Sequence, residues 1–226
     1  SVLLVSTSAV FLVRKMTLVD RWDKVLAFYV MANAAVILSM ELSGLIHLFG
    51  SPWMLLGIQA GFLLITILFK GEKGNPASEP GKRFDLWQWI RSSPFQTVYI
   101  SLLGLLYGFL AFLAVRIPQN TTDALYNHLA RIGYWLQQGS LLPYEGFNRV
   151  AVTYPYNNSL LMAWPIVFLR IDKLVALVQF IAALALALTI IQFAKRLGYS
   201  SKTALISGLV FLTFPIVALQ AITAQN

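Results

Sequence analysis

Six apolar runs punctuate the chain: Val2–Val13, Val25–Leu48, Trp53–Phe69, Phe95–Val115, Leu174–Ala194 and Thr203–Leu219. All but the first approach the roughly 20 residues that a helix needs to cross about 30 Å of hydrocarbon. A backbone in lipid must satisfy its own hydrogen bonds, so runs of this kind restrict the chain to helices or a closed barrel. Continuous rather than alternating hydrophobicity selects helices. The fold class expected is an all-α membrane protein, a polytopic transmembrane helix bundle. Composition agrees: of 226 residues, 58% are hydrophobic and only 12% charged, with mean hydropathy +0.71. A soluble domain of this size needs far more charged surface.

A seventh run, Leu160–Leu169, is too short to span and carries Pro165, which is expected to break it. An interfacial or re-entrant helix is the better fit. Charge supports that reading. With the short run kept out of the count of spans, one side holds Arg14, Lys15, Arg21, Lys24, Lys70, Lys73, Lys82, Arg83, Arg91, Lys195, Arg196 and Lys202. These are twelve of the 17 basic residues. Arg116, Arg131, Arg149, Arg170 and Lys173 then share one long loop on the other side. The positive-inside rule places the twelve toward the cytoplasm and the loop, residues 116–173, away from it. The net charge of +8 is read the same way. No basic run is interleaved with aromatics as a nucleic-acid groove reader requires, so nucleic acid is not an expected partner.

The chain divides into about three N-terminal helices (residues 1–70), a Gly-, Pro- and charge-rich cytoplasmic linker (71–94) and a core (95–226). It opens inside an apolar run without methionine and closes just beyond another, so a longer membrane protein is expected to continue it. Cysteine is absent, which excludes disulfides and thiolate metal sites. Gly57-x-x-x-Gly61 and Gly104-x-x-x-Gly108 lie within spans, where paired glycines allow helices to approach closely. Packing within the chain is the reading preferred over dimerisation, although the N-terminal helices could engage other membrane proteins. Glu41 and His47, near one end of the second span, are expected to serve packing or hydrogen bonding.

The loop is where chemistry is expected. Thr121 or Thr122 is a candidate N-cap for a helix over 122–138. At 100° per residue, Leu125, Leu129, Ile132 and Leu136 form one apolar stripe. Asp123, Asn127, His128, Arg131, Trp135 and Gln138 fall on the opposite side. This predicts an amphipathic helix lying on the membrane with its apolar stripe down. Asp123 and Glu145 are the only acids before Asp172 in the loop, so Asp123 does not belong to a solubilising charge field. Aromatics that could stack on sugar rings cluster around it. No P-loop, dinucleotide fingerprint, HExxH or D-x-D signature is present, so a soluble nucleotide donor has no visible site.

Asp123, Asn127-His128-Leu129-Ala130-Arg131, Trp135-Leu136 and Gly139-Ser140 resemble the first external loop of the GT-C integral membrane glycosyltransferases. The resemblance is to the dolichyl-phosphate-mannose–protein mannosyltransferase kind. It continues through Tyr154-Pro155, Trp164-Pro165, Asp172-Lys173-Leu174-Val175 and Ala194-Lys195-Arg196-Leu197-Gly198, and covers residues 95–226. It implies a GT-C-like core and a polyprenyl-phosphate-linked sugar donor. It also implies inverting transfer to an acceptor on the non-cytoplasmic face of a membrane, here the plasma membrane of a bacterium. Asp123 matches the family's first-loop acid, a general base or an orienting group. A base of this kind must come within about 3 Å of the acceptor proton. Arg131, with its planar fork, is the candidate contact to donor phosphate. Arg149 is the alternative phosphate contact, and His128 and Trp135 are further substrate-binding candidates. Many relatives carry paired acids in this loop, whereas Asp123 follows Thr122; a divalent metal is therefore not evident. A non-catalytic scaffold or accessory subunit with a GT-C-like fold is the alternative reading.

Overall fold

The computed structural model describes residues 1–18, 20–68, 86–91, 93–144 and 155–224. Every regular element among them is helical. The elements are α1 (Val2–Arg14), α2 (Arg21–Leu45), α3 (Pro52–Leu68), α4 (Leu86–Arg91) and α5 (Pro94–Arg116). A π-helical turn (Ala124–Leu129) then runs into α6 (Ala130–Gln138), followed by α7 (Asn157–Leu169), α8 (Val175–Arg196), α9 (Ser201–Thr213) and α10 (Pro215–Gln220).

Local chemistry sets several boundaries. Asp20 caps α2 by accepting from the Trp22 amide at 2.7 Å, and Ser200 caps α9 by accepting from the Thr203 amide at 3.2 Å. Pro94 opens α5, where a missing amide proton costs nothing. Gly139 ends α6 at φ +70°, the left-handed conformation that glycine adopts without strain.

Among the described residues, three helices are long and apolar enough to cross a membrane: α2, α5 and α8, with 25, 23 and 22 residues. At ~1.5 Å per residue each exceeds the ~30 Å hydrocarbon thickness. Their bounds follow the apolar runs at Val25–Leu48, Phe95–Val115 and Leu174–Ala194 within a few residues. Leu102, Leu105, Phe109 and Phe112 of α5 are more than half exposed, as apolar side chains facing lipid would be. The helices α1, α3, α7 and α9 are apolar but shorter.

One expectation about proline is reversed. The helix α7 runs unbroken through Pro165. Its face bearing Leu160, Met162, Ala163 and Val167 is completely buried, and that packing holds the helix despite the lost hydrogen bond. The last apolar run does break. Phe214, pressed by Pro215, takes an extended conformation (φ −63°, ψ 124°) and divides α9 from α10.

Helices α1, α2 and α3 pack on one another, and α2 also packs against α7 and α8. The helix α8 contacts α5, α7, α9 and α10. One buried core joins Val5, Val36, Met40 and Leu55 of the N-terminal helices to Ile132, Trp135, Leu160 and Val167. The first 68 residues are thus a wall of the same body that carries the polar segment. A second, smaller cluster joins α5 to α8 and α9, with the Tyr107 hydroxyl donating to the Leu212 carbonyl at 3.0 Å.

The glycine pairs behave differently from expectation. A Cβ at Gly57, Gly61, Gly104 or Gly108 would meet nothing within 4 Å, so neither motif packs on another of the described residues. Close approach occurs instead at Gly208, where a Cβ would lie 2.9 Å from the Ala187 carbonyl of α8, and at Gly44, against Leu141.

Candidate functional site

Thr121 starts the polar helix. Its hydroxyl accepts from the Ala124 amide at 3.3 Å, the capping anticipated from Thr121 or Thr122. The next turn is wound as a π-helix over Ala124–Leu129, a local widening of the α-helix frequently found at functional sites.

Asp123 stands where that widening begins. Its side chain is 41% exposed, and Oδ2 lies 3.5 Å from Nε2 of His128. Its other oxygen accepts from Asn127 Nδ2. His128 is buried, and its Nδ1 shares a hydrogen bond of 3.0 Å with the hydroxyl of Ser159 on α7. With the Nε2 proton directed at Asp123, Ser159 donates to Nδ1 and fixes the ring in that tautomer. Burial lowers the pKa of His128 below its ordinary value. Asp123 pulls it up, and Arg131 pushes it further down. The imidazole is therefore neutral near pH 7.

Arg131 lies one turn further on and is only 2% exposed. Its guanidinium donates to the Pro155 carbonyl at 3.3 Å and sits 5.7 Å from the Trp135 ring centroid. The Tyr144 hydroxyl faces it closely enough that each alters the other's ionisation, although the hydroxyl makes no well-directed hydrogen bond among the described residues. Burial lowers the arginine pKa and Tyr144 opposes that shift, so the group stays cationic. Tyr144 is stacked on Tyr134 with centroids 4.3 Å apart. Trp135 is buried between Phe49 and Tyr156, edge to face, with both centroids at 5.7 Å.

The predicted helix thus exists, with its inner face offset. Ala124, His128, Arg131, Ile132 and Trp135 are buried, whereas Leu125 is 45% exposed. Relative to the stripe of Leu125, Leu129, Ile132 and Leu136, the inward face is shifted by one residue, about 100° of rotation. Its polar side packs on α7 and on the turn after α2. That turn is locked in place, since Phe49 N donates to the Gly139 carbonyl at 2.8 Å. His47 lies in this turn, exposed and at φ +58°, and Glu41 is half-buried on α2.

The structure brings together Asp123, His128, Arg131 and Trp135; Arg149 lies outside the described residues. Tyr144, one of the loop aromatics, and Ser159, which was not a candidate, complete the cluster. Ser159 stands 31 residues from His128, and only the packing of α7 against α6 makes them neighbours. Among the described residues, no three His, Asp or Glu side chains come together as a metal site would require. The donor set around Asp123, a lone carboxylate with an amide and a hydroxyl-bonded imidazole, does not fit a protein-held divalent ion. No family model, curated protein or solved structure matches the chain.

Proposed function

We propose that this chain is part of a GT-C-like membrane glycosyltransferase that moves a sugar from a polyprenyl-phosphate-linked donor to an acceptor on the non-cytoplasmic face. The observation that carries the reading is the setting of Asp123. It is a partly exposed carboxyl, held from behind by the buried His128–Ser159 pair, on a helix flanked by apolar spans.

The chemistry follows from that setting. An Asp123 oxygen takes the proton of the acceptor hydroxyl. The acceptor oxygen bonds to the anomeric carbon from the face opposite the phosphate. The carbon–oxygen bond to phosphate breaks, its electron pair leaves with the polyprenyl phosphate, and the anomeric centre inverts. Asp123 then returns its proton to water. Neutral His128 donates a hydrogen bond to the second carboxyl oxygen and holds the first toward the acceptor. Exposed Tyr126 and Tyr134 offer ring faces on which a sugar can stack. Arg131, buried against Trp135 and Pro155, orders this wall; a phosphate contact would require its guanidinium to turn outward.

The test replaces Asp123 with Asn and follows consumption of radiolabelled polyprenyl-phosphate sugars in membranes containing the full-length protein. General-base loss predicts a fall of about 10²–10⁴-fold with unchanged protein level. Undiminished turnover removes Asp123 from the mechanism. The accessory-subunit reading is favoured by the uncovered Gly57/Gly61 and Gly104/Gly108 faces; it predicts that the wild-type protein consumes no donor and co-purifies with a membrane partner.

A further inference from the structure

The ends of α2 and α8 remote from Asp123 line an open cavity of about 340 Å³. Asp23 and Arg196 both line it and pair there, Arg196 Nη2 to Asp23 Oδ2 at 2.8 Å. Most of the wall is apolar, with Met16, Leu26 and Phe193 among its members. Gln192, which lines the same cavity, is 5% exposed, and its Nε2 has no hydrogen-bond partner among the described residues. A buried amide left in this state is costly. A cavity whose wall joins this amide to apolar side chains suits a ligand that supplies oxygen acceptors at one end and hydrocarbon at the other.

Arg196 supplies the charge. Asp23 engages one nitrogen of a guanidinium that has five N–H donors. The side chain is otherwise 68% exposed, so the remaining donors are open to a second acceptor. Arg21 and Lys24 lie on the first turn of α2, and Lys195 precedes Arg196 at the end of α8. With Asp20 and Asp23 as the acids there, cations outnumber them.

We infer that this cavity is a binding site for the headgroup of an acidic glycerophospholipid. A phosphate oxygen accepts from Arg196, an ester or phosphate oxygen accepts from Gln192 Nε2, and the first methylenes of an acyl chain lie along Leu26 and Phe193. Inorganic phosphate meets the same donors but leaves the apolar wall unfilled, so the lipid is the occupant assigned.

The probe is 1-palmitoyl-2-oleoyl phosphatidylglycerol, compared with the phosphatidylcholine of the same chains, in native mass spectrometry of the detergent-solubilised protein. Wild type retains phosphatidylglycerol about tenfold better, the value of one charge-assisted hydrogen bond at this site. Gln192→Leu and Arg196→Ala each lose most of that preference. Asp23→Asn frees the guanidinium and strengthens it. Lys173→Ala, the same charge change at the other end of α8, leaves it unaltered. Because Gln192→Leu removes no charge and breaks no ion pair, it reads the site even if Arg196→Ala fails to fold. Equal retention of the two lipids, wild-type binding by Gln192→Leu, or displacement of the lipid by excess inorganic phosphate overturns the assignment.

Discussion

Nδ1 of His128 and the hydroxyl of Ser159 meet at 3.0 Å, tying the helix that carries Asp123 to α7. Both groups are buried, at 4% and 0% exposure, so neither has water as a substitute partner. Ser159→Ala leaves Nδ1 with an unmet acceptor. Thermal or denaturant unfolding in detergent should register a loss of about 1–3 kcal/mol. Under the proposed mechanism the same variant lowers turnover more than it raises KM, since it loosens the orientation of Asp123. A change in KM alone would separate Ser159 from that role.

His128 also sets a pH dependence. Its folded pKa lies below the unfolded value of about 6.5, so the unfolded chain takes up the proton first. Stability from keeping the ring neutral is complete above about pH 6.5 and is lost as pH falls from there through the lower folded pKa. Melting temperatures between about pH 8 and pH 5 should therefore fall on the acid side. His128→Gln should flatten that slope. An unchanged slope in the variant would assign the acid sensitivity to other groups.

Arg131 offers a different test, because its guanidinium is engaged inside the protein. Arg131→Ala leaves the Pro155 carbonyl without this donor and opens space beside Trp135. A loss of about 2–4 kcal/mol is expected, the range for a buried charged hydrogen-bonding group. Arg131→Lys should recover little, since an ammonium cannot reproduce a planar group lying against a ring. If either variant keeps wild-type stability while KM for a phosphate-linked donor rises, the arginine acts on substrate and not on the wall.

Glycine spacing makes a fourth prediction. At Gly208 a Cβ would come within 2.9 Å of the Ala187 carbonyl, whereas at Gly104 it would meet nothing within 4 Å. Gly208→Ala should destabilise by about 1–3 kcal/mol through overpacking. Gly104→Ala should be neutral or stabilise slightly through helix propensity. Melting temperatures of the pair would check this. A destabilised Gly104→Ala would mean that another helix covers α5 in the membrane.

Much of the architecture could be read from residue order. Long apolar runs dictate helices because lipid offers no partner for a backbone amide, and their lengths located α2, α5 and α8. A local rule located a cap as well: Thr121 begins the polar helix because a hydroxyl accepts from a first-turn amide. Pro165 and Pro215 show where such rules stop. The same residue is absorbed in a helix whose face is fully buried and breaks one where Phe214 is free to extend.

The polar helix divides in the same way. Its position, its amphipathic character and the isolation of Asp123 are properties of local sequence, set by periodicity and composition. Which side turns inward was not, because an interfacial helix can bury its apolar stripe in lipid or its polar stripe in protein. The π-helical turn and the contact with α7 decided for the second. Asp123, His128 and Ser159 acquire a common geometry only when residues 31 apart are packed together. Arg131 becomes a buried strut for the reason that Pro155, Tyr144 and Trp135 surround it. Sequence determined the lengths and ends of the long helices α2, α5 and α8, since those are set by neighbours along the chain. Tertiary structure alone decided their partners, since these come from segments far apart in the sequence.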